Sequence, residues 1–166
     1  MPTYNHEKFI MESIESVLSQ TFSEWELVIV NDASTDNTSQ IIDNYAKRFP
    51  FKIKVIHKVK NEGTTLALND ALQTCTGEFI GWLSSDDLYL YDCLEKQIET
   101  LENHDAEMVF GDFDMIDENS NYIESRRYDF SNKNIYHEFL RYSPESCTML
   151  IRKKCFDAVG GFNPKY

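Results

Sequence analysis

The stretch Glu26-Leu-Val-Ile-Val-Asn-Asp-Ala-Ser-Thr-Asp36 decides the fold of this 166-residue chain. Its continuous apolar, β-branched run predicts a short strand that is covered on both faces. The polar residues that end the stretch are typical of a turn that starts a helix. A helix is indicated next, because apolar residues recur at helical spacing from Ile41 to Phe49, and Pro50 ends the pattern.

The same alternation continues on both sides of this stretch. Apolar residues at helical spacing predict three further helices, over residues 7–20, 64–75 and 92–103. Short apolar or alternating runs predict strands over residues 52–58 and 78–83. The expected fold class is therefore α/β, with a mainly parallel sheet.

The second half of the chain has a different pattern. Its predicted elements are a strand over residues 108–110, a hairpin over 113–123, a loop over 126–134, a strand over 147–151 and a helix that ends at Val159. Gly160-Gly161 is the stop signal of that last helix. Because no internal repeat or low-complexity stretch interrupts the pattern, we expect residues 1–166 to form a single domain.

The charge balance excludes one broad class of function. The chain has 16 Lys and Arg residues against 28 Asp and Glu residues, which gives a formal net charge of −12 at pH 7. A nucleic-acid-binding protein needs a basic face that neutralises phosphates, so we expect no nucleic-acid partner. A small anionic ligand would need a metal ion or well-placed backbone N–H groups.

Cysteine spacing and hydropathy bear on localisation. The cysteines at positions 75, 93, 147 and 155 lack the spacing of a zinc site or a redox pair, so we expect buried free thiols. No apolar run approaches the 18 or more residues of a membrane span, and the first residues show no signal-peptide pattern. These observations favour a cytoplasmic protein.

Two of the predicted strands end in acidic loops, Asp32 after the opening run and Asp86-Asp87 after residues 78–83. Ligands of open parallel sheets bind at these carboxyl ends. Asp32 and Asp36 could simply cap a helix. Two adjacent carboxylates repel each other, however, and favour a divalent cation such as Mg²⁺ or Mn²⁺. Since the chain has neither a P-loop nor a dinucleotide-binding glycine motif, we predict a metal–nucleotide site.

Seven motifs occur in the order and spacing of a known family. They are Pro2-Thr-Tyr-Asn5, Ser16-Val-Leu-Ser-Gln-Thr21, the opening stretch, Asn61-Glu-Gly63, Gly77-Glu-Phe-Ile80, Leu83-Ser-Ser-Asp-Asp87 and Gly160-Gly-Phe162. With this set the chain resembles the family 2 glycosyltransferases over essentially its whole length. The resemblance implies the GT-A fold, a Rossmann-like three-layer α/β sandwich.

The resemblance also implies a reaction. Members of the family move a sugar from a nucleotide-diphosphate donor, here a UDP- or dTDP-sugar, to an acceptor hydroxyl with inversion and with Mn²⁺ or Mg²⁺. The acceptor would be a saccharide or a lipid-linked or protein-linked glycan, in cell-surface polysaccharide or glycoconjugate synthesis. Such an enzyme is cytoplasmic, with peripheral association at the inner face of the membrane through segments outside this chain.

Individual residues take roles by the same resemblance. Six residues would contact the nucleotide base and the ribose: Pro2, Thr3, Tyr4, Asp32, Asn61 and Gly63. Asp32 would accept a hydrogen bond from the base, Asp86 would lie near the ribose or the phosphates, and Asp87 would ligate the metal. A last segment would border the cleft for the sugar and the acceptor: Gly160, Gly161 and Phe162.

Three positions depart from the family pattern. Asn31 and Ser84 stand where many members have Asp, and Leu68 stands where many have Arg. The catalytic carboxylate of the family follows the Gly-Gly-Phe segment, so we expect the base, which stays unidentified, beyond Tyr166. The first strand is also expected to be incomplete, because the chain begins where that strand should end.

Two other functions stay open at this stage. A sugar nucleotidyltransferase uses a related fold and metal, but it needs a glycine-rich phosphate loop with Lys or Arg, which residues 2–9 do not offer. The other is a nucleotide-sugar-binding module without turnover, as one part of a larger assembly. An acidic pair beyond Tyr166 would distinguish the enzyme from the binding module.

Overall fold

The computed structural model describes residues 1–128 and 145–165. Its helices are α1 (Ile10–Leu18), α2 (Thr38–Arg48), α3 (Thr64–Thr74), α4 (Cys93–Asn103) and α5 (Lys153–Val159), with a 3₁₀ turn at Ser146–Thr148. Its strands are β1 (Pro2–Thr3), β2 (Leu27–Asn31), β3 (Ile53–His57), β4 (Phe79–Gly81), β5 (Met108–Phe110), β6 (Phe113–Ile116), β7 (Tyr122–Arg126) and β8 (Met149–Arg152). Each predicted helix and strand has its counterpart here. The predicted loop over residues 126–134 lies outside the described residues from position 129 onward.

Strands β1, β2 and β3 form a parallel sheet in that order. All five residues of β2 are buried. Leu27 and Ile29 pack in one apolar cluster with α1 and α2, while Val28 and Val30 pack against α3 in another. Helices therefore cover both faces of β2, which confirms the prediction from its continuous apolar run.

The three parallel strands end at the same level. Thr3, Asn31 and His57 are aligned in neighbouring strands. The backbone N–H of Asp32 donates to the carbonyl of Thr3 at 2.9 Å, which continues the pairing one residue beyond β2. The loops that follow β1 and β2 therefore start side by side at one edge of the sheet.

A second three-stranded sheet has the order β4-β8-β5. Strand β8 runs antiparallel to both neighbours, with Ile151 opposite Ile80 on one side and opposite Met108 on the other. The apolar run over residues 147–151 predicts a strand, but it contains no signal for direction or neighbours. Strand pairing is thus parallel in the first sheet, as predicted, and antiparallel in the second.

Strands β6 and β7 form the predicted hairpin. Asp117 Oδ1 closes the turn by accepting the backbone N–H groups of Asn119 and Asn121 at 2.8 and 2.9 Å. The hydroxyl of Ser120 donates to a carboxylate oxygen of Glu12 at 2.6 Å. This last hydrogen bond attaches the tip of the hairpin to α1.

All four cysteines are free thiols, which confirms one half of the prediction. Their expected full burial is wrong, because each is only partly buried. Cys75 follows the last turn of α3 and Cys93 begins α4, so both lie at helix ends, where solvent reaches the side chain. No helix in residues 1–128 and 145–165 is long and apolar enough to cross a membrane.

Candidate functional site

The loops that follow β1, β2 and β4 are joined by hydrogen bonds. In the loop after β1, the N–H of Asn5 donates to Ser34 Oγ at 3.0 Å, and Asn5 Oδ1 accepts the N–H of Thr35 at 2.8 Å. His6 follows in the same loop, and its Nδ1 is hydrogen-bonded to Ser85 Oγ, in the loop after β4, at 2.6 Å. Hydrogen bonds therefore join the loops that carry most of the predicted nucleotide and metal residues.

Asp32 is buried at the end of β2, with 4% of its surface exposed. Its Oδ1 accepts the N–H of Glu62 at 2.9 Å, and its Oδ2 accepts the N–H of Gly63 at 2.7 Å. Asp32 thus holds the Asn61–Gly63 loop, which leads into α3. Capping of α2 falls to Asp36 instead, whose Oδ1 accepts the N–H of Thr38 at 3.0 Å.

A buried lysine lies beside this carboxylate. Lys58 Nζ is 4.0 Å from Asp32 Oδ1, 2.8 Å from Glu62 Oε2 and 3.1 Å from Asp70 Oδ2. Burial lowers the pKa of Lys58, but hydrogen bonds to Glu62 and Asp70 outweigh burial and leave the pKa raised. The ammonium charge therefore persists and offsets the charge of the buried Asp32. In the sequence Lys58 is one of several closely spaced lysines, and nothing there distinguishes it.

The side chain of Asn31 is hydrogen-bonded to its neighbours. Asn31 Nδ2 donates to Ser39 Oγ at 2.7 Å and to His57 Nδ1 at 3.1 Å, while Asn31 Oδ1 accepts the N–H of Ser34 at 3.0 Å. His57 Nε2 then donates to Asp43 at 2.9 Å. Asn31 thus links the turn after β2 to Ser39 in α2 and to His57 at the end of β3.

Asp86 and Asp87 lie in the loop after β4, where Asp86 is exposed and Asp87 is partly buried. Burial raises the pKa of the Asp87 carboxyl, and the charge of Asp86 raises it further. A divalent cation would relieve that repulsion, and carboxylate oxygens suit Mg²⁺ or Mn²⁺. Within the described ranges, no group of three or more His, Cys, Asp or Glu side chains is arranged to hold a metal. Asp86 and Asp87 are therefore two candidate oxygen ligands and not a complete metal site.

A cavity of about 370 Å³ lies beside this pair. Phe9 and Glu12 form one wall, and the hairpin of β6 and β7 forms another. Its described lining includes no Lys or Arg and has these carboxylates: Glu12, Asp86, Asp87, Asp114, Asp117, Glu118 and Glu145. An anionic ligand could enter such surroundings only together with a cation.

A larger cavity of about 770 Å³ lies among mostly apolar residues such as Leu27 and Leu68. It is lined by neither Asp32 nor the Asp86-Asp87 pair. The larger cavity therefore does not coincide with the predicted nucleotide and metal carboxylates. The smaller cavity is the candidate site, because it contains Asp87, a carboxyl with a shifted pKa beside a second charged group.

The segment Pro2–Tyr4 lies beside Asp32. Pro2 and Thr3 form β1, and Tyr4 is 44% exposed at its end. The Thr3 hydroxyl is buried and has no hydrogen-bond partner in the described part of the chain. A buried hydroxyl left without a partner costs about 1–3 kcal/mol. A polar ligand atom that reached Thr3 would remove that cost.

One side chain clamps the segment after α5 to α3. Asn69 Oδ1 accepts the N–H of Phe162 at 2.8 Å, and Asn69 Nδ2 donates to the carbonyl of Phe162 at 2.9 Å. The Phe162 ring packs edge-on against Trp82, with 5.7 Å between the ring centroids. Gly160 and Gly161 have φ values of 79° and 89°, which let the chain turn into this position. Because Trp82 lies between β4 and the carboxylate pair, the Gly-Gly-Phe segment contacts the strand end that leads to the site.

We expect Gly161→Ala to destabilise the fold more than Gly160→Ala. A Cβ on Gly161 would lie 2.7 Å from Asn69 Oδ1, whereas a Cβ on Gly160 would meet no atom within 4 Å. Both substitutions place a side chain at positive φ, which costs about 1–2 kcal/mol. Only Gly161→Ala also displaces Asn69, at a further cost of about 1 kcal/mol. Urea denaturation measures both free energies of unfolding, and equal values would rule out the clamp.

These features define a class of protein. Helices cover both faces of the parallel sheet, and polar residues gather at the carboxyl ends of its strands. A carboxylate pair stands beside an acidic cavity at the end of β4. This combination is typical of α/β proteins that bind a ligand at the carboxyl ends of their strands.

The chain belongs to glycosyltransferase family 2, whose model, Glycosyl transferase family 2, matches residues 1–161. An uncharacterized glycosyltransferase of Rickettsia felis is 34% identical over an alignment of 170 positions, which covers 98% of this chain and 28% of that protein. The UDP-Glc:alpha-D-GlcNAc-diphosphoundecaprenol beta-1,3-glucosyltransferase WfgD of Escherichia coli is 36% identical over 120 residues, covering 72% of this chain and 46% of that protein. The chain thus spans less than half the length of these two relatives.

Solved structures show the same fold. TarS of S. aureus, residues 1–349 in complex with UDP-GlcNAc, matches 97% of this chain and 46% of its own with a TM-score of 0.79 at 27% identity. The mannosyltransferase PcManGT of Pyrobaculum calidifontis, in complex with GDP-Man and Mn²⁺, matches 98% of this chain and 46% of its own with a TM-score of 0.74. At 22% identity the second likeness speaks for the fold alone. The GT-A fold and the glycosyltransferase assignment are confirmed.

Proposed function

We propose that this chain is a single domain over residues 1–166 and the donor-binding part of an inverting glycosyltransferase. The enzyme transfers the sugar of a UDP- or dTDP-sugar to an acceptor hydroxyl in the synthesis of a cell-surface polysaccharide or glycoconjugate. One observation carries the proposal: the loop after β1 is hydrogen-bonded both to the loop of Asp32, through Asn5 and Ser34, and to the loop of Asp86 and Asp87, through His6 and Ser85. A nucleoside diphosphate needs polar partners for its base and a cation for its phosphates, and we assign these two roles to the two loops.

The base subsite is assigned to Asp32 and to the segment Pro2–Tyr4. Each carboxylate oxygen of Asp32 accepts one backbone hydrogen bond and keeps a further lone pair, and the buried Thr3 hydroxyl has no partner in the described residues. Uracil and thymine present an N3–H donor between two carbonyl acceptors, which suits a carboxylate beside a hydroxyl. The Asn61–Gly63 loop, held by Asp32, borders the ribose.

The phosphate side is assigned to Asp86 and Asp87, with Asp87 as the ligand of Mn²⁺ or Mg²⁺ and Asp86 near the ribose or the phosphates. When bound, the cation offsets the negative charge that grows on the leaving nucleoside diphosphate. The acceptor oxygen bonds to the anomeric carbon while the bond from that carbon to the diphosphate oxygen breaks. The acceptor proton passes to a carboxylate base, which we place beyond Tyr166.

The sugar and the acceptor are assigned to the cleft bordered by Gly160, Gly161 and Phe162. The S. aureus neighbour contains UDP-GlcNAc, and the name of the E. coli relative specifies a UDP-Glc donor and a diphosphoundecaprenol-linked acceptor. Both support a nucleotide-sugar donor for this chain, and the second supports a lipid-linked glycan as acceptor. An enzyme that uses such an acceptor works in the cytoplasm, at the inner face of the membrane.

Donor binding followed by slow hydrolysis tests this function. With Mn²⁺ present, UDP-glucose, UDP-GlcNAc or a dTDP-sugar is expected to bind in calorimetry, and water then replaces the missing acceptor. Proton NMR of the anomeric signal identifies the sugar released first, which is the β-anomer if an α-linked donor is inverted. Absence of binding for all of these donors would refute the donor assignment, and early release of the α-anomer would refute inversion.

A further inference from the structure

The side chain of His6 connects two loops of the candidate site. Its Nδ1 is hydrogen-bonded to Ser85 Oγ at 2.6 Å, and Ser85 is only 1% exposed. Ser85 directly precedes Asp86, and His6 stands two positions after Tyr4. This hydrogen bond therefore connects the proposed base segment to the loop of the proposed metal carboxylates.

The backbone of His6 is fixed without help from its ring. The N–H of His6 donates to Thr38 Oγ1 at 2.9 Å, and Thr38, the first residue of α2, is fully buried. The carbonyl of His6 accepts the N–H of Ile10, the first residue of α1, at 2.9 Å. A substitution of the side chain leaves both contacts in place. The contribution of the ring can therefore be separated from the structure of the loop.

The carboxylate loop needs such an attachment. Asp86 and Asp87 are adjacent carboxylates in one short loop, and like charges at this separation repel each other. On the side of Asp87, the backbone N–H of Tyr89 donates to Ser16 Oγ at 3.1 Å and attaches the loop to α1. The His6–Ser85 bond restrains the loop on the side of Asp86. The same ring packs edge-on against Phe9, with 6.1 Å between centroids, and Phe9 lines the acidic cavity.

We propose that His6 is a positioning residue that couples nucleotide binding to metal binding. Its Nδ1 holds Ser85, and Ser85 holds the Asp86–Asp87 pair at a set distance from the segment that contacts the base. This inference rests on the proposed function, because it takes the base and the cation to bind at those two places. His6 itself contacts neither ligand.

The test compares variants that keep or remove a hydrogen-bonding atom at the Nδ1 position. Calorimetry measures the factor by which Mn²⁺ raises UDP affinity, and the water-proton relaxation of Mn²⁺ measures the reciprocal factor. His6→Ala is expected to lower the coupling factor about 5- to 10-fold, the value of a typical hydrogen bond. His6→Asn, whose amide lies near the Nδ1 position, should restore most of it. His6→Gln, whose amide lies near the Nε2 position, should not.

Three controls separate positioning from loss of structure. Ser85→Ala is expected to lower the coupling factor as His6→Ala does, and the double variant should lose no more than either single variant. Uridine, which lacks phosphates, should bind all of these variants within about twofold of the wild type, since the base segment is intact. His104→Ala should leave every value unchanged, because His104 is exposed at the end of α4.

The outcomes distinguish failure of this inference from failure of the proposed function on which it rests. A wild type in which Mn²⁺ and UDP do not affect each other refutes the proposed metal role, and the role of His6 with it. A wild type with coupling that persists in both His6→Ala and Ser85→Ala refutes the role of His6 alone. An equal loss of uridine and UDP binding in both variants also refutes it, because that result shows a collapsed site. Loss of coupling with uridine binding preserved supports the inference.

Discussion

Asp87→Asn is expected to remove most of the coupling between Mn²⁺ and UDP. In the wild type, each ligand should raise the affinity for the other by about 5- to 150-fold, and the two factors must be equal because linkage is reciprocal. With a net charge of −12 and no Lys or Arg in the described lining of the acidic cavity, the diphosphate depends on the cation for its counter-charge. The amide keeps the shape of the carboxylate but not its charge, so the factor should fall close to one.

Titration of UDP with and without Mn²⁺ measures this factor in the wild type and in each variant. Asp86→Asn should lower it less, because Asp86 is assigned to the ribose or the phosphates rather than to the cation. Asp105→Asn is the matched control, since Asp105 is exposed in the turn after α4 and should behave as the wild type does. If a chelator leaves the UDP affinity of the wild type unchanged, Asp87 is not a metal ligand.

Asp32→Ala is expected to weaken UDP binding roughly 10- to 150-fold. The lost hydrogen bond is one to a charged group, which is worth about 1.5–3 kcal/mol. The wild type should also prefer UDP or dTDP to ADP, because adenine has no ring N–H at the position where uracil has N3–H. Calorimetry with the three nucleotides measures both effects, and equal affinities of the wild type for UDP, GDP and ADP would refute the assignment of the base.

The same variant separates two roles of Asp32, because the carboxylate also accepts the N–H groups of Glu62 and Gly63. If Asp32 only held that loop, Asp32→Ala would weaken UDP and ADP by the same factor. Selective loss of UDP affinity indicates contact with the base itself. Asp32→Asn is informative beside it, since the amide keeps one acceptor oxygen for the loop and removes the charge.

The parts of the fold that could be predicted from the sequence have local causes. The run of β2 is apolar at every position because α1 and α2 cover one face and α3 covers the other. Asp36 caps the helix that directly follows it, so its role is visible within three residues. The Asp86-Asp87 pair could be selected from the sequence as a candidate site, because adjacent carboxylates repel each other in any fold.

The contacts that could not be predicted join distant residues. Asn69 and Phe162 are separated by 93 positions, and His6 and Ser85 by 79, so no periodicity or spacing marks either pair. Lys58 illustrates the same limit. Its buried position depends on Asp70, which α3 brings within 3.1 Å, while the sequence around Lys58 is that of a solvated basic run.

In the second sheet β8 lies between β4 and β5, although it follows both of them in the sequence. The sheet therefore cannot form during synthesis until β8 has left the ribosome. Strands β1–β3 and helices α1–α3 are complete by Thr74, so this half can fold while synthesis continues. Strands β4 and β5 each keep an unpaired edge until residues 149–152 have left the ribosome and can pair with both. The loop of Asp86 and Asp87 is anchored at β4, and it gains its final support only at that late step. A newly made chain therefore completes the loop of Asp86 and Asp87 after the loop of Asp32.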